Sequence, residues 1–185
     1  VYPSDLKLPK MLYGAILRCP HPSATIKHVD VSEAEQLPGV RAIISSSSRQ
    51  VKDLKWTYRN FETLLFDPEC RFEGEEVAAV AADTVYQAWD AAHAIKVEYD
   101  LHSFVVDHED ALEKDAHKVH GASNIVSENT YARGDVEKGF AEADAVLEHR
   151  YETQAELHTP MELHGCVANW EGDRLTIWES TQGVY

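Results

Sequence analysis

The pattern that most constrains the fold is a strand, a helix and a second strand within residues 72–99. Residues 77–82 are all apolar, which is typical of a strand buried on both faces. Thr84 and Gln87 then have the spacing of a capping box. Apolar side chains recur at helical spacing after it at Val85, Ala88, Trp89, Ala92 and Ile95. Residues 96–99 alternate again, so the sequence predicts an amphipathic helix packed on a sheet.

Further strand patterns precede this unit. They cover residues 11–19, 24–31 and 40–44. Pro20 and Pro22 force a turn after the first of them, and Pro38-Gly39 ends a short helix predicted over 32–37. Residues 49–70 are irregular and aromatic, and we expect an extended loop or a short helix there. The order of elements predicts a compact α+β domain over residues 1–105.

The second half of the chain has a different character. Residues 106–128 are polar and are interpreted as a connector. In residues 129–185, Asp135 is placed to cap a short helix, two strand patterns follow at 145–157 and 163–171, and Gly172-Asp173 forms a hairpin turn into a further strand. One helix and one hairpin do not make a stable core. We therefore expect a truncated second domain, with aromatic side chains of 145–185 left uncovered.

Charge and composition exclude several classes of partner. The chain has 185 residues, and its 32 acidic and 17 basic residues give a formal net charge of −15, which disfavours nucleic acid and anionic lipid. No apolar run approaches the roughly 18 residues needed to cross a bilayer. Cys19, Cys70 and Cys166 are widely spaced, so we expect reduced thiols in a cytoplasmic protein. The start lacks both a methionine and a signal peptide, which indicates a piece of a longer gene product.

A search for catalytic groups gives no complete set. His158 and His164 are six residues apart with Glu162 between them, which does not fit a zinc-protease helix. The serines of residues 45–48 lack a nucleophile-elbow motif, and Asp83, Glu98 and Asp100 flank the strong helix and its following strand without a distinguishing pattern. The sequence therefore identifies no candidate catalytic residue and no candidate metal ligand.

Several motifs occur in an informative order. Residues 10–22 read KMLYGAILRCPHP, residues 37–40 read LPGV, residues 74–82 read GEEVAAVAA and residues 134–144 read GDVEKGFAEAD, and Met161-Glu162 and Ser180-Thr181-Gln182 follow. Together they resemble the molybdenum-binding (large) subunit of the xanthine dehydrogenase/aldehyde oxidase family, from its N-terminal α/β hammerhead domain to the start of its molybdopterin-binding domain. The departures are Cys19 in place of the usual Ser, Ser23 in place of the commoner His, and Glu76 in place of the usual Pro.

The resemblance implies a fold and a chemistry. The fold is α+β, with an α/β hammerhead domain followed by an incomplete molybdopterin-binding segment. Enzymes of this family hydroxylate an N-heterocycle or aldehyde carbon with oxygen from water, using a molybdopterin-type molybdenum cofactor, with iron–sulfur clusters and FAD in partner domains or subunits. Gln182 matches the glutamine whose amide donates a hydrogen bond to an oxygen ligand of the molybdenum, which makes it the predicted cofactor-binding residue.

The same resemblance predicts that these 185 residues alone are inactive and hold no cofactor. The glycine-rich cofactor loops and the late glutamate base of the family are not in this sequence. The expected partners are the remainder of the molybdenum-binding subunit, the iron–sulfur and FAD subunits or domains, and a small-molecule substrate. The alternatives are a stand-alone protein-interaction module and an acidic hydrolase, which would need clustered carboxylates of raised pKa in one cleft. The substrate stays open between purine-like, nicotinate-like, aldehyde and aromatic thioester compounds.

Overall fold

The computed structural model describes residues 2–58, 61–157, 159–161 and 163–181, with Tyr58 and Phe61 described through their backbone alone. The chain divides into two compact units. The first unit is Pro9–Ser127, and the second consists of the described residues from Glu128 onward together with the N-terminal segment up to Leu8. The strands and helices are labelled β1–β10, α1 and α2 in chain order below.

The first unit contains most of the regular structure. Its strands are β1 (Tyr13–Arg18), β2 (Ala24–Asp30), β3 (Val40–Ser45), β4 (Lys55–Tyr58), β5 (Phe61–Leu64), β6 (Glu69–Cys70), β7 (Glu76–Ala82) and β8 (Lys96–Leu101). Helix α1 spans Val85–Ala94, and short 3-10 turns cover Ala34–Gln36 and Asp110–Leu112.

Antiparallel pairing arranges these strands into separate sheets. One sheet has the order β1–β7–β3, with Ala15 and Ile43 both opposite Val80 of the central strand. A second has the order β6–β2–β8, with Ile26 opposite Tyr99. Strands β4 and β5 pair only with each other within the described residues.

Helix α1 lies against the β1–β7–β3 sheet and buries a face made of small side chains. The Thr84 hydroxyl accepts a hydrogen bond from the Gln87 amide at 3.2 Å and begins the helix, as the capping box predicts. Ala88, Ala91 and Ala92 are fully buried in the same core as Ala15, Val77, Ala78 and Val80. Methyl groups on both surfaces allow a close approach of helix and sheet, so this layer leaves little room for larger side chains.

Most of the predicted elements of the first unit are confirmed, including the strand–helix–strand pattern of residues 72–99. The prediction for residues 49–70 is wrong, because this stretch contains β4, β5 and the short strand β6 rather than a loop or helix. Trp56 pairs across β4–β5 with Thr63, and Lys55 forms an ion pair with Glu62 at 2.6 Å. These cross-strand pairs stabilise short strands that have too few residues to show a clear alternation.

The second unit contains little regular structure. A 3-10 turn at Pro3–Asp5 lies against the hairpin formed by β9 (Gly165–Glu171) and β10 (Arg174–Ser180). Helix α2 (Val136–Ala141) begins where predicted, since the Asp135 carboxylate accepts a hydrogen bond from the Lys138 amide at 3.0 Å. The predicted class, α+β, is confirmed. No helix in the described ranges is long and apolar enough to cross a membrane.

The prediction of a strand at residues 145–157 is wrong for this structure. None of these residues belongs to a strand, and no ladder of backbone hydrogen bonds joins them to another segment of the described chain. A strand exists only through hydrogen bonds to a neighbour, so an alternating sequence without a partner stays unpaired.

The alanine face of α1 gives the first testable prediction. We expect Ala88→Leu to lower the free energy of unfolding of the first unit by roughly 1–3 kcal/mol, because the added carbons have no space between helix and sheet. Asp90→Ala, at an exposed position of the same helix, is the matched control and is expected to change it by less than about 0.5 kcal/mol. Urea denaturation followed by circular dichroism measures both, and equal effects would contradict the close packing.

Candidate functional site

The candidate site lies where the β9–β10 hairpin ends. Gly172 has a φ of +66° in the turn of this hairpin, a conformation that suits glycine. At the end of β10 the Ser180 hydroxyl donates a hydrogen bond to the Leu163 carbonyl at 2.8 Å. This contact fixes the first residue of the Ser-Thr-Gln motif against the segment that leads into β9. Gln182, the predicted cofactor-binding residue, lies outside the described residues.

The hairpin leaves large apolar side chains in solvent. Trp170 is 66% exposed and Ile177 is 52% exposed, while Val167 is buried opposite Trp178. The preceding segment behaves in the same way, with its large apolar side chains almost fully exposed. They are Leu147, Tyr151, Leu157, Met161 and Leu163. The expectation of uncovered aromatic residues in 145–185 is confirmed by Tyr151 and Trp170. Several exposed large apolar side chains in one segment are typical of a surface that contacts another molecule.

The candidate metal ligands do not form a metal-binding site within the part of the chain that is described. His164 is exposed, and His158 and Glu162 lie outside the described residues. No group of three His, Cys, Asp or Glu side chains suited to a metal ion occurs among the residues with described positions.

The polar groups weighed as catalytic have structural partners instead. Asp83 accepts two hydrogen bonds from the Arg41 guanidinium, at 2.8 and 2.7 Å, and these bonds hold the pKa of its carboxyl below the usual range. Asp100 forms an ion pair with Lys27 at 3.5 Å. The Ser48 hydroxyl accepts a hydrogen bond from the Ser45 amide at 2.9 Å, which closes the turn after β3. None of these contacts indicates a nucleophile or a general base.

A partly buried charge cluster was not found from the sequence. Arg71 lies between Asp67 and Glu75, with nitrogen–oxygen distances of 3.0 and 3.5 Å, and these side chains are only 13–24% exposed. The only indication of this cluster in the sequence is that Asp67, Arg71 and Glu75 are spaced four residues apart. Because Asp67 precedes β6 and Glu75 precedes β7, the cluster connects the ends of two strands from different sheets.

The environment separates the pKa values of the two carboxyls. Burial raises the pKa of Glu75, and the Arg71 backbone amide and guanidinium only partly oppose it. Burial acts in the same direction on Asp67, but hydrogen bonds from the Glu69 amide and the Thr63 hydroxyl, together with Arg71, lower its pKa overall. An acidic hydrolase would need raised carboxyls gathered in one cleft. Here only one of the pair is raised, and Arg71 occupies the space between them.

The connector contains an apolar recess with a defined hydrogen-bonded framework. The side-chain amide of Asn124 donates hydrogen bonds to the backbone carbonyls of Ala111 and His117 at 2.9 and 2.8 Å. Its oxygen accepts a hydrogen bond from the backbone amide of Val119 at 2.9 Å. These bonds shape a cavity of about 480 Å³ whose lining includes Val105, Val106, Ile125 and Val126. The lining is mainly aliphatic, and it also includes Asp107, His108 and His120.

Comparison with known proteins assigns the chain to a family. Residues 1–103 match the sequence model described as "Aldehyde oxidase and xanthine dehydrogenase, a/b hammerhead domain". The chain belongs to this family. Residues 117–185 match the model of the molybdopterin cofactor-binding domain. The predicted hammerhead fold, followed by the start of a cofactor-binding domain, is therefore confirmed.

Relatives align over the whole chain. A probable xanthine dehydrogenase subunit of Bacillus subtilis (strain 168) is 35% identical over 100% of this chain and 25% of its own length. The nicotinate dehydrogenase large molybdopterin subunit of Eubacterium barkeri is 31% identical over 100% of this chain and 44% of its own length. The chain thus spans between a quarter and less than half of these curated relatives.

A solved structure shows the same fold. The crystal structure of quinoline 2-oxidoreductase from Pseudomonas putida 86 superposes with a TM-score of 0.82 and 33% identity, over 98% of this chain and 24% of that one. The structure also explains one departure from the family pattern. Glu76, in place of the usual proline, accepts a hydrogen bond from Arg18 at 2.8 Å across the β1–β7 pair, so the substitution adds an ion pair to the sheet edge.

The Asp67–Arg71–Glu75 cluster gives a prediction for the effect of pH. Because the pKa of Glu75 is higher in the folded state, its protonation favours folding, and that contribution is lost as pH rises above the ordinary value of 4.5 and through the folded pKa. Glu75→Gln removes this loss. Relative to the original protein, the variant is expected to become more stable as pH increases from 4.5 to neutral.

Asp83→Asn is the matched control, because Asp83 is bound by Arg41 and lies outside this cluster. The pKa of the Asp83 carboxyl is lowered in the folded state, so its contribution is present above 3.8 and is lost only below that value. The stability difference between Asp83→Asn and the original protein should therefore stay nearly constant from pH 4.5 to neutral. Thermal denaturation across this range tests both, and a flat difference for Glu75→Gln would contradict the assigned pKa direction.

Proposed function

We propose that this chain is part of the molybdenum-binding subunit of a hydroxylase that oxidises N-heterocycle or aldehyde carbons with water as the oxygen source. The observation that carries the proposal is the match of residues 117–185 to a molybdopterin cofactor-binding domain, directly after a hammerhead domain of the same family. An interaction module would not need the second of these matches, so the enzyme is the better supported function.

The domain organisation is proposed as residues 1–105 for the hammerhead domain, 106–128 for the connector and 129–185 for the beginning of the cofactor-binding domain. Support comes from a hammerhead match that ends at residue 103 and from a second unit whose main segment begins at Glu128. The N-terminal 3-10 turn at Pro3–Asp5 contacts β9 and β10, so the first residues contribute to the second unit.

We assign Gln182 to contact with the cofactor. When bound, the molybdenum cofactor supplies the two-electron oxidation of the substrate carbon. The side-chain amide of Gln182 is a neutral donor, so it can bind the cofactor without adding a charge that would change its potential. The hydrogen bond between Ser180 and Leu163 supports this role, because it holds the backbone two residues before Gln182.

The partners follow from the same assignment. The Bacillus and Eubacterium relatives are both named as subunits. We propose that this chain functions with the remainder of its own subunit and with iron–sulfur and FAD subunits or domains, in the cytoplasm, on a small-molecule substrate. The activity requires the parent protein, and these residues alone are proposed to be inactive.

The test of Gln182 uses the parent subunit in its assembled enzyme. Gln182→Ala is expected to reduce kcat by roughly 10–100-fold, which is typical for loss of an outer hydrogen bond to a metal centre. Gln50→Ala, at an exposed position of the first unit, is the matched control and should leave kcat unchanged. Molybdenum content is measured for each variant so that kcat is expressed per loaded site. Equal kcat values for the two variants would contradict the assignment.

A further inference from the structure

A cavity in the first unit is lined by cationic and hydroxyl side chains that the proposed reaction does not use. It has a volume of about 290 Å³ and lies between β2, the turn after β3 and the segment from β5 to β6. Its polar lining consists of Lys27, His28, Ser46, Ser47 and Lys52. None of the described residues that line it is Asp or Glu. The cavity therefore presents positive charge and hydrogen-bond donors to a molecule that enters it.

A β-bulge in β2 brings two adjacent side chains to this cavity. Ile26 and His28 lie opposite two adjacent residues of β8, so Lys27 is an extra residue of β2 with no partner in that ladder. In a regular strand adjacent side chains lie on opposite faces, whereas a bulge changes the direction of the side chains beside it. This irregularity explains how Lys27 and His28 can line one cavity although they are neighbours in the sequence.

Backbone hydrogen bonds hold the walls of the cavity in place. In the turn after β3, the Ser48 amide donates to the Ser45 carbonyl and the Lys52 amide donates to the Ser48 carbonyl, both at 2.9 Å. The Ile26 amide donates to the Pro68 carbonyl at 2.8 Å, which joins β2 to the segment before β6. The backbones that carry the polar side chains are thus ordered before a ligand binds, which lowers the cost of binding.

The charge of the cavity contrasts with that of the whole chain. The formal net charge is −15, yet Lys52 forms no ion pair within the described residues. Lys27 contacts Asp100 at 3.5 Å, but both side chains are more than half exposed, so this pair is weak. An ammonium group has three donors, and one contact leaves two of them for a ligand. Both lysines can therefore bind an anion.

The opposite wall of the cavity is apolar. Leu64, Phe66 and Pro68 belong to its lining, and Phe66 is almost fully buried. Inorganic phosphate would leave this wall without a contact. A molecule with an apolar group beside its anionic group contacts both walls and gains from the apolar surface that it removes from water.

We propose that this cavity binds a small organic anion, whose carboxylate or phosphate group contacts Lys27, His28 and Lys52 and whose apolar group packs against Leu64 and Phe66. Histidine carries an N–H group in either tautomer and lysine is a donor, so all three polar side chains can donate to the same oxyanion. The cavity lies in the hammerhead domain, so this binding does not depend on the molybdenum cofactor or on the proposed reaction.

The experiment uses the folded parent protein and two anionic probes, benzoate and phenyl phosphate, with benzyl alcohol as the uncharged control. Saturation-transfer difference NMR detects the bound probe, and a titration gives its dissociation constant. We expect at least one anionic probe to bind, and benzyl alcohol to bind several-fold more weakly because it lacks the charge that the lysines contact.

Two substitutions at Ser46 locate the bound probe. Ser46→Asp adds a carboxylate to the lining and is expected to weaken binding of the anion roughly tenfold or more through like-charge repulsion. Ser46→Asn is the matched control, because it has nearly the same shape without the charge, and it should bind the probe as the original protein does. Any effect of the larger side chain on folding is shared by the two variants.

Two lysine variants test the contacts themselves. Lys52→Gln is expected to weaken binding roughly two- to fivefold, as for loss of an exposed ion pair. Lys114→Gln removes the same charge from an exposed position outside the cavity and should leave the dissociation constant unchanged. Failure of both anionic probes to bind, equally tight binding of benzyl alcohol, equal constants for the two Ser46 variants or equal effects of the two lysine variants would overturn the proposal.

Discussion

The first unit depends on the contact between the alanine face of α1 and the β1–β7–β3 sheet. Ala88, Ala91 and Ala92 have no exposed surface, and the strands present Ala15, Ala78 and Ala82 to the same core. Small residues on both surfaces allow the backbones to approach closely, and the apolar area that they bury is the main stabilising contribution. Since α1 follows β7 directly and precedes β8, it connects the central strand of the first sheet to an edge strand of the second.

The sequence predicted this contact because its signals are local. A capping residue, a helical repeat of apolar side chains and an apolar strand all lie within residues 72–99, and each is visible without knowledge of the rest of the fold. Residues 49–70 gave no such signal, because their short strands depend on a few cross-strand pairs. The same limit applies to the Asp67–Arg71–Glu75 cluster, whose formation requires β6 and β7 to be placed by the tertiary structure.

The candidate site was predicted from a motif rather than from its geometry. The hairpin turn at Gly172 and the cap at Asp135 follow from local chemistry, and both are confirmed. Residues 145–157 carry a strand pattern, yet they have no strand partner in the described chain. Gln182 was identified only because the Ser-Thr-Gln motif matches the family, since no physical property of one glutamine distinguishes it from a turn residue.

The two units differ in how many of their apolar side chains they bury. The first unit has a core of buried apolar residues, whereas Val167 is the one buried apolar residue among the described residues of the second unit, which exposes Leu147, Tyr151 and Trp170. Two relatives are longer than the region that aligns with this chain, and the contrast supports the proposal that the cofactor-binding segment functions together with the rest of a subunit.

The most direct test of this account is the molybdenum and pterin content of the parent protein purified from its own host. The account predicts stoichiometric molybdenum with molybdopterin in the subunit that contains this chain, and loss of substrate oxidation when the metal is removed. A pure, folded parent subunit that contains neither molybdenum nor pterin, from cells that load other molybdenum enzymes, would contradict it.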